Sequence, residues 1–206
     1  MLKNETKKRN IFLITGWNDT GKDTVGKLIK DILETYDEEE FKGCIETCKF
    51  SEPIRKVIKR IFCIMDDEEL ETIKKNSINV RKLFISLAEA FKDMYGNNYF
   101  INNTHQFISN TFYNNSKINT IIITDCRFVD EVIEMQSIIT HIDSHLNLHL
   151  ITVKDINSTK SDLDVGDDMT TISHYVIKND KQIPNSIDVL EQEVYQMLKS
   201  INIIKE

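Results

Sequence analysis

The chain has 206 residues, 40% of them hydrophobic, enough to bury a sizeable core in one domain. Its formal net charge of -7 argues against a general nucleic-acid binder, which needs clustered Lys and Arg, but leaves room for a small anionic ligand in one positive pocket. No apolar run approaches the ~20 residues of a membrane span and no cleavable signal is visible in MLKNETKKRN, so a soluble cytoplasmic protein is expected, with no membrane partner.

Residues 11–15 (IFLIT) are apolar without alternation, the pattern of a strand buried on both faces. From Asp23 to about Tyr36 the residues Val25, Leu28, Ile29, Ile32 and Leu33 recur at helical spacing. Residues 44–50 can form a second strand. Ser51 stands where an N-cap would, with Glu52 and Pro53 in the first turn of a helix burying Ile54, Val57, Ile58, Ile61 and Phe62. A short, charged, exposed helix is predicted over 66–75. An amphipathic helix over 80–95 follows, its apolar face made by Leu83, Phe84, Leu87, Ala88 and Phe91, and then another over 99–112.

The clearest buried strand is 118–124 (INTIIIT), with Asp125 at its end. A helix over 127–139, strands over 146–153 and 175–177, and a closing helix over 187–198 complete the pattern. The polar stretch 155–171 reads as a lid or as disorder. Cys44 and Cys48 form a C-x3-C pair rather than the C-x2-C of zinc ribbons, so the four cysteines are expected to be free buried thiols. His141, His145 and His149 recur every four residues, but a strand over 146–153 breaks any helical metal face, and His174 reads as structural. Strands alternating with helices imply βα units around a short parallel sheet, a three-layer α/β fold in one domain over 1–206.

Gly16-Trp17-Asn18-Asp19-Thr20-Gly21-Lys22-Asp23-Thr24 has the G-x4-G-K frame of a P-loop, between a strand and an amphipathic helix. Gly16 and Gly21 allow backbone angles and approaches that a side chain would block. Successive N–H groups of such a loop, with the positive end of the next helix, bind nucleotide phosphates, and Lys22 adds a mobile charge. Asp23 stands where a magnesium-binding Ser or Thr is usual. It is either an outer-sphere magnesium partner, with the Thr24 hydroxyl nearby, or a helix cap.

The G-K-D-T run resembles the deoxynucleoside monophosphate kinases of viruses, within the P-loop nucleoside monophosphate kinase group. Three further segments match in order: FSEPIR from Phe50 to Arg55, the helix pair from Val80-Arg81 through Phe91 to Tyr99-Phe100-Ile101, and DCRFVDE from Asp125 to Glu131. The last strand and closing helix are similar too. The resemblance implies an α/β/α P-loop NTPase fold and transfer of a phosphoryl group from ATP, with Mg2+, to a small nucleotide acceptor, a (deoxy)nucleoside monophosphate. It implies that Asp125 holds magnesium or its waters, alongside Asp23 and Thr24. Arg127 would reach phosphate, and Arg55 and Arg81 would clamp the acceptor monophosphate, since guanidinium grips two oxygens at once. Phe91, Tyr99 and Phe100 wall the base pocket on this reading, or simply pack in the core. A homodimer is left open.

Two departures stand out. Relatives often carry an Arg inside the phosphate loop, where this chain has Asn18 and Asp19, and the lid-like stretch 155–171 contains no Arg. Lys154 and Lys160 lie nearby, beside Asp162, Asp164, Asp167 and Asp168. Two rivals are a phosphomevalonate kinase of the animal type, which shares the G-K-D loop, and a nucleotide-binding scaffold with reduced or no catalysis.

Overall fold

Strands that are apolar at every position need cover on both faces. A computed structural model, describing residues 8–142, 146–157 and 167–204, supplies that cover. The chain runs β1 (Arg9–Thr15), α1 (Lys22–Tyr36), α2 (Glu38–Phe41), β2 (Ile45–Cys48), α3 (Glu52–Ile61), α4 (Asp67–Asn76) and α5 (Ile78–Tyr95). It continues through α6 (Tyr99–Asn114), β3 (Thr120–Cys126), α7 (Val129–Ile142), β4 (Leu146–Asp155), β5 (Tyr175–Asn179) and α8 (Ser186–Ser200).

The strands pair in parallel in the order β2-β3-β1-β4-β5. Side-chain alternation divides the core in two. Ile11, Leu13, Ile121, Ile123 and Leu150 meet α3 to α7, while Phe12, Ile14, Ile122, Ile151 and Val153 meet α1 and α8. The result is the expected three-layer α/β/α fold. Gly26 lets α1 lie close to β3, since a Cβ there would stand 2.6 Å from Thr124 Cγ2. Between β1 and β3 the register slips: Leu13 pairs with Ile123, but Thr15 pairs with Cys126. Such an irregularity bends a strand end and re-aims its side chains, here beside Asp125.

Several local expectations need correction. Ile61 and Phe62 are 61% and 50% exposed, whereas Ile54 and Ile58 are buried. The inward face of α3 is set by that pair, one turn apart, and the helix ends at Ile61 before the next turn could face inward. Ser51 makes no side-chain cap on α3. Its hydroxyl donates instead to Asp125 Oδ2 at 2.5 Å. The cysteines are free, but Cys63 is exposed and Cys48 only half-buried. His149 lies in β4, stacked on Phe12 with ring centroids 5.0 Å apart. His145 and the side chain of His141 lie outside the described residues. His174 is structural, accepting at Nδ1 from the Leu150 N–H at 3.1 Å. Among the described residues no helix is long and apolar enough to cross a membrane.

The two isoleucines of α3 give a direct check on its buried face. Ile58→Ala is expected to lower unfolding free energy by about 2–5 kcal/mol. Ile61→Ala should change it by less than about 0.5 kcal/mol in the same urea titration.

Candidate active site

Because every strand is parallel, the carboxyl ends of β1, β3, β4 and β5 meet along one edge, where open α/β sheets hold ligands. The loop leaving β1 opens at the centre of that edge, between β3 and β4. Gly16 has φ +142° and Gly21 φ +102°. A Cβ on Gly16 would lie 2.3 Å from the Val153 carbonyl oxygen, and one on Gly21 2.5 Å from Asn179 Nδ2. Backbone angle favours glycine at both positions, and at Gly16 the fixed Val153 carbonyl adds a close approach that no side chain could share.

The loop is held from three sides. The Thr20 hydroxyl donates to the Trp17 carbonyl at 3.0 Å, and the Asn179 amide donates to the Thr20 carbonyl at 2.8 Å. The Lys181 ammonium donates to the Asp19 carbonyl. Asp19 itself takes φ 58°, a left-handed angle that Asp tolerates better than most residues. α1 begins without a side-chain cap, which leaves its first-turn N–H groups to the loop, as phosphate binding requires.

Lys22 is 8% exposed and its ammonium donates to the Trp17 carbonyl across the loop. Burial lowers its pKa to about 8, with repulsion from Arg127 adding to the effect and Asp23 and Asp125 opposing it. Asp23 does not cap α1. Its Oδ1 accepts from the Thr124 hydroxyl at 2.5 Å and meets Lys49 Nζ at 2.9 Å. Burial works against the charge of Asp23, but Lys49 and the Thr124 hydroxyl outweigh it and hold the carboxyl below its usual range. Thr24 follows, half-buried. Asp125, 9% exposed, accepts from the Phe50 N–H at 2.6 Å, the Ser51 N–H at 3.1 Å and the Ser51 hydroxyl.

Beside the loop lies a cavity of about 260 Å³ that brings together Asn18, Arg81, Asp125 and Arg127. Arg127 Nη2 donates to Asn18 Oδ1 at 3.4 Å, and Arg81 Nη2 donates to Asp19 Oδ2 at 3.3 Å. Arg81 Nε also donates to the Lys74 carbonyl at 3.1 Å, which fixes the direction of its fork. Phe50, Phe84, Phe100 and Phe128 give the cavity an aromatic lining. Asp23, Thr24 and Asp125 sit at the loop end. Magnesium keeps several waters and takes one or two carboxylates plus substrate phosphates, so this set fits an outer-sphere hold without a larger cage. Among the described residues there is no group of three or more His, Cys, Asp or Glu able to hold a metal.

Three predicted acceptor residues stand elsewhere. Arg55 does not line the cavity; its side chain is 3% exposed and bonds to Glu71 and, at 2.9 Å, to Asp67. Phe91 and Tyr99 are also absent from the lining. They pack on each other at 5.2 Å between ring centroids, with Phe100 and Tyr95 around them. The cavity face of α5 runs through Arg81, Phe84, Ile85, Ala88, Glu89 and Lys92. Phe91, seven residues after Phe84, stands at the edge of that stripe, and its ring is taken up by the cluster of Tyr95, Tyr99 and Phe100.

Other site residues were not foreseen. Lys74 lines the cavity from α4, and its spacing from the buried Leu70, one turn earlier, was the available signal. Lys92 stands 4.7 Å over the Phe128 ring. Glu131 accepts from the N–H groups of Arg127 and Phe128 at 2.7 and 3.1 Å, and burial raises its pKa to about 7. Asn179 had no local signal, because its partner Thr20 is 159 residues away.

Of the stretch 155–171, residues 158–166, including Lys160, Asp162 and Asp164, lie outside the described residues. Its returning arm docks at the start of α7. The Asp167 N–H donates to the Arg127 carbonyl at 2.8 Å, and Asp167 Oδ2 accepts from the Val129 N–H at 2.9 Å. Lys154 pairs with Asp168 at 3.3 Å.

No family model matches the sequence, and no curated protein sequence matches it. Solved structures do. An APS kinase of Mycobacterium tuberculosis is similar over 93% of this chain and 98% of its own, with 12% identity and a TM-score of 0.46. A gluconokinase of Sinorhizobium meliloti is similar over 96% and 98%, with 7% identity and a TM-score of 0.46. A thymidylate kinase of Ehrlichia chaffeensis is similar over 92% and 99%, with 13% identity and a TM-score of 0.41.

The low pKa of Lys22 has a measurable consequence. The group is half neutral near pH 8 in the free protein, whereas phosphates placed against it favour the charged form. ADP binding at pH 8 is therefore expected to take up about half a proton, and affinity should fall as pH rises above 8. Calorimetric titration in two buffers of different ionisation heat checks this, and Lys22→Arg, permanently charged, should show no uptake.

Proposed function

We propose that the chain is a kinase that transfers the γ-phosphoryl group of ATP to a (deoxy)nucleoside monophosphate, giving ADP and the diphosphate. The observation that carries this reading is a phosphate loop opening beside a cavity where guanidinium groups tied to that loop, Arg81 and Arg127, meet an aromatic lining. An acceptor that is anionic at one end and a flat ring at the other suits both features.

On this reading Lys22 and the backbone of 18–24 hold the donor phosphates. Arg127, on the loop side of the cavity, neutralises the group in transfer, and Arg81 grips the acceptor phosphate. Lys74 and Lys92 add positive potential along the cavity wall. Arg55 serves through Glu71, by fixing α4, rather than by touching the acceptor. Asp23, Thr24 and Asp125 would hold magnesium or its waters, and the ion would supply positive charge to offset that of the donor phosphates. An acceptor oxygen forms the new bond to the γ-phosphorus as the bond to the β,γ-bridging oxygen breaks, and ADP leaves with that oxygen. No general base is required, because the acceptor phosphate is already ionised. The partner is a small nucleotide rather than nucleic acid or membrane.

A coupled ADP-release assay over ribo- and deoxynucleoside monophosphates, with phosphomevalonate included, tests the reading. Turnover is expected with at least one nucleotide, and Lys22→Ala and Arg127→Ala should each lower kcat by about 10²–10³. Arg81→Ala should raise the acceptor KM by about tenfold, with a smaller effect on kcat. Turnover of phosphomevalonate alone would overturn the nucleotide reading. ATP binding without any transfer, unaltered by Lys22→Ala in every measured activity, would mark the chain as a scaffold.

A further inference from the structure

An acidic residue directly after the phosphate-loop lysine is an electrostatic problem. Asp23 lies in the first turn of α1, where the helix dipole and N–H groups favour phosphate, and an unpaired carboxylate there would repel a polyphosphate at short range. The surroundings of Asp23 address that problem. Lys49, just beyond the end of β2, places its ammonium 2.9 Å from Asp23 Oδ1, and Thr124 of β3 donates to the same oxygen. Lys49 also reaches Glu71 Oε1 of α4 at 3.4 Å. Glu71 is held in turn by Arg55, and its Oε2 lies 3.7 Å from Lys74 Nζ. The Lys49 side chain is 21% exposed and that of Asp23 61%, so solvent screens the Asp23 contact in part, and the Lys49–Glu71 contact, at 21% and 28%, less. Lys49 does not line the cavity, and its ammonium faces Asp23 and Glu71.

Resting on the reading that residues 16–24 hold a nucleotide's phosphates, we propose that Lys49 is a positioning residue of the donor site. It neutralises Asp23 and anchors it to α4, so that the loop accepts a polyphosphate despite the carboxylate after Lys22. Two acidic partners on different elements hold the ammonium between them. Loss of Lys49 frees the charge of Asp23 to act on the nucleotide.

A double-mutant cycle tests this on the full-length protein. ADP is titrated in EDTA, so that no contact of Asp23 with magnesium enters, and binding is followed by calorimetry and by the fluorescence of Trp17, the single tryptophan. Lys49→Met is expected to weaken ADP binding by about tenfold, and by less than about threefold when Asp23→Asn is already present. Lys49→Arg should retain affinity within about threefold of the wild type. Equal loss in both backgrounds, or no loss from Lys49→Met alone, would overturn the proposal. Thermal unfolding checks each variant, and Lys49→Gln, which keeps a donor without the charge, carries the same cycle if Lys49→Met does not fold. Wild-type protein that binds ADP but phosphorylates no acceptor sinks the kinase reading and leaves this one standing. Wild-type protein that binds no ADP overturns both.

Discussion

The carboxylate of Asp125 is the joint on which the candidate site depends. At the end of β3 it accepts hydrogen bonds from two successive backbone N–H groups and one hydroxyl, all from the turn between β2 and α3. Hydrogen bonds to a charged acceptor contribute about 1.5–3 kcal/mol each, and their loss would leave buried donors without partners. The joint fixes two things together. The turn it holds launches α3, with Ile54 in the core and Arg55 in the α4 ion network; the strand end that carries it leads directly to Arg127 and Glu131. Asp125 also lends negative potential to Lys22. One buried carboxylate thus sets the loop over 16–24, the cavity beside it and α3 in register.

Around that joint the chain concentrates positive charge against its own overall balance. The formal net charge is -7, yet Lys22, Lys74, Arg81, Lys92 and Arg127 converge on the loop and cavity. Burial and neighbouring like charge act together on two of them, Lys22 and Lys74. Burial lowers the Lys74 pKa, and Arg127, Lys49 and Arg55 press the same way against the pull of Glu71. Lys22 is lowered by burial and by Arg127. Desolvated like charges held together cost folding free energy, and an anion bound among them recovers it. Such recovery favours anionic ligands, which is why perturbed lysines mark candidate functional ground.

Features encoded locally were legible in the sequence; those encoded by distant partners were not. The strand over 11–15, the phosphate loop and α1 form one contiguous run in which apolar pattern, glycine placement and helical spacing agree. The same holds for β3 with Asp125 and for α5. Arg55 was misplaced because its partners Asp67 and Glu71 lie 12 and 16 residues on, in a helix whose charges read as solvent-exposed. Phe91 stayed open between pocket and core, because an apolar stripe shows that α5 is amphipathic but not which of its rings a neighbouring helix takes up. Asn179 and Thr20 are joined only by the order of the sheet, which sets β5 two strands from β1. Asp23, legible as anomalous, became intelligible only when folding brought Lys49 and Thr124 to it.

The absence of arginine from the loop and from 155–171 counts for less once the origin of the cavity's cations is clear. Arg81 and Lys92 come from one stripe of α5, Lys74 from α4, and Arg127 from the turn after β3. These elements pack on the sheet through buried residues such as Phe84, Leu70 and Val132. Charge mounted on packed elements needs less reorganisation when a phosphoryl group moves than charge carried by a loop, and electrostatic catalysis depends on that economy. The described returning arm at Asp167 contributes backbone contacts to the start of α7 and carries the wrong sign to neutralise phosphate. The positive field of this site therefore belongs to the core of the fold, with Asp19 and Asn18 accepting the guanidinium groups that other loops would have to supply themselves.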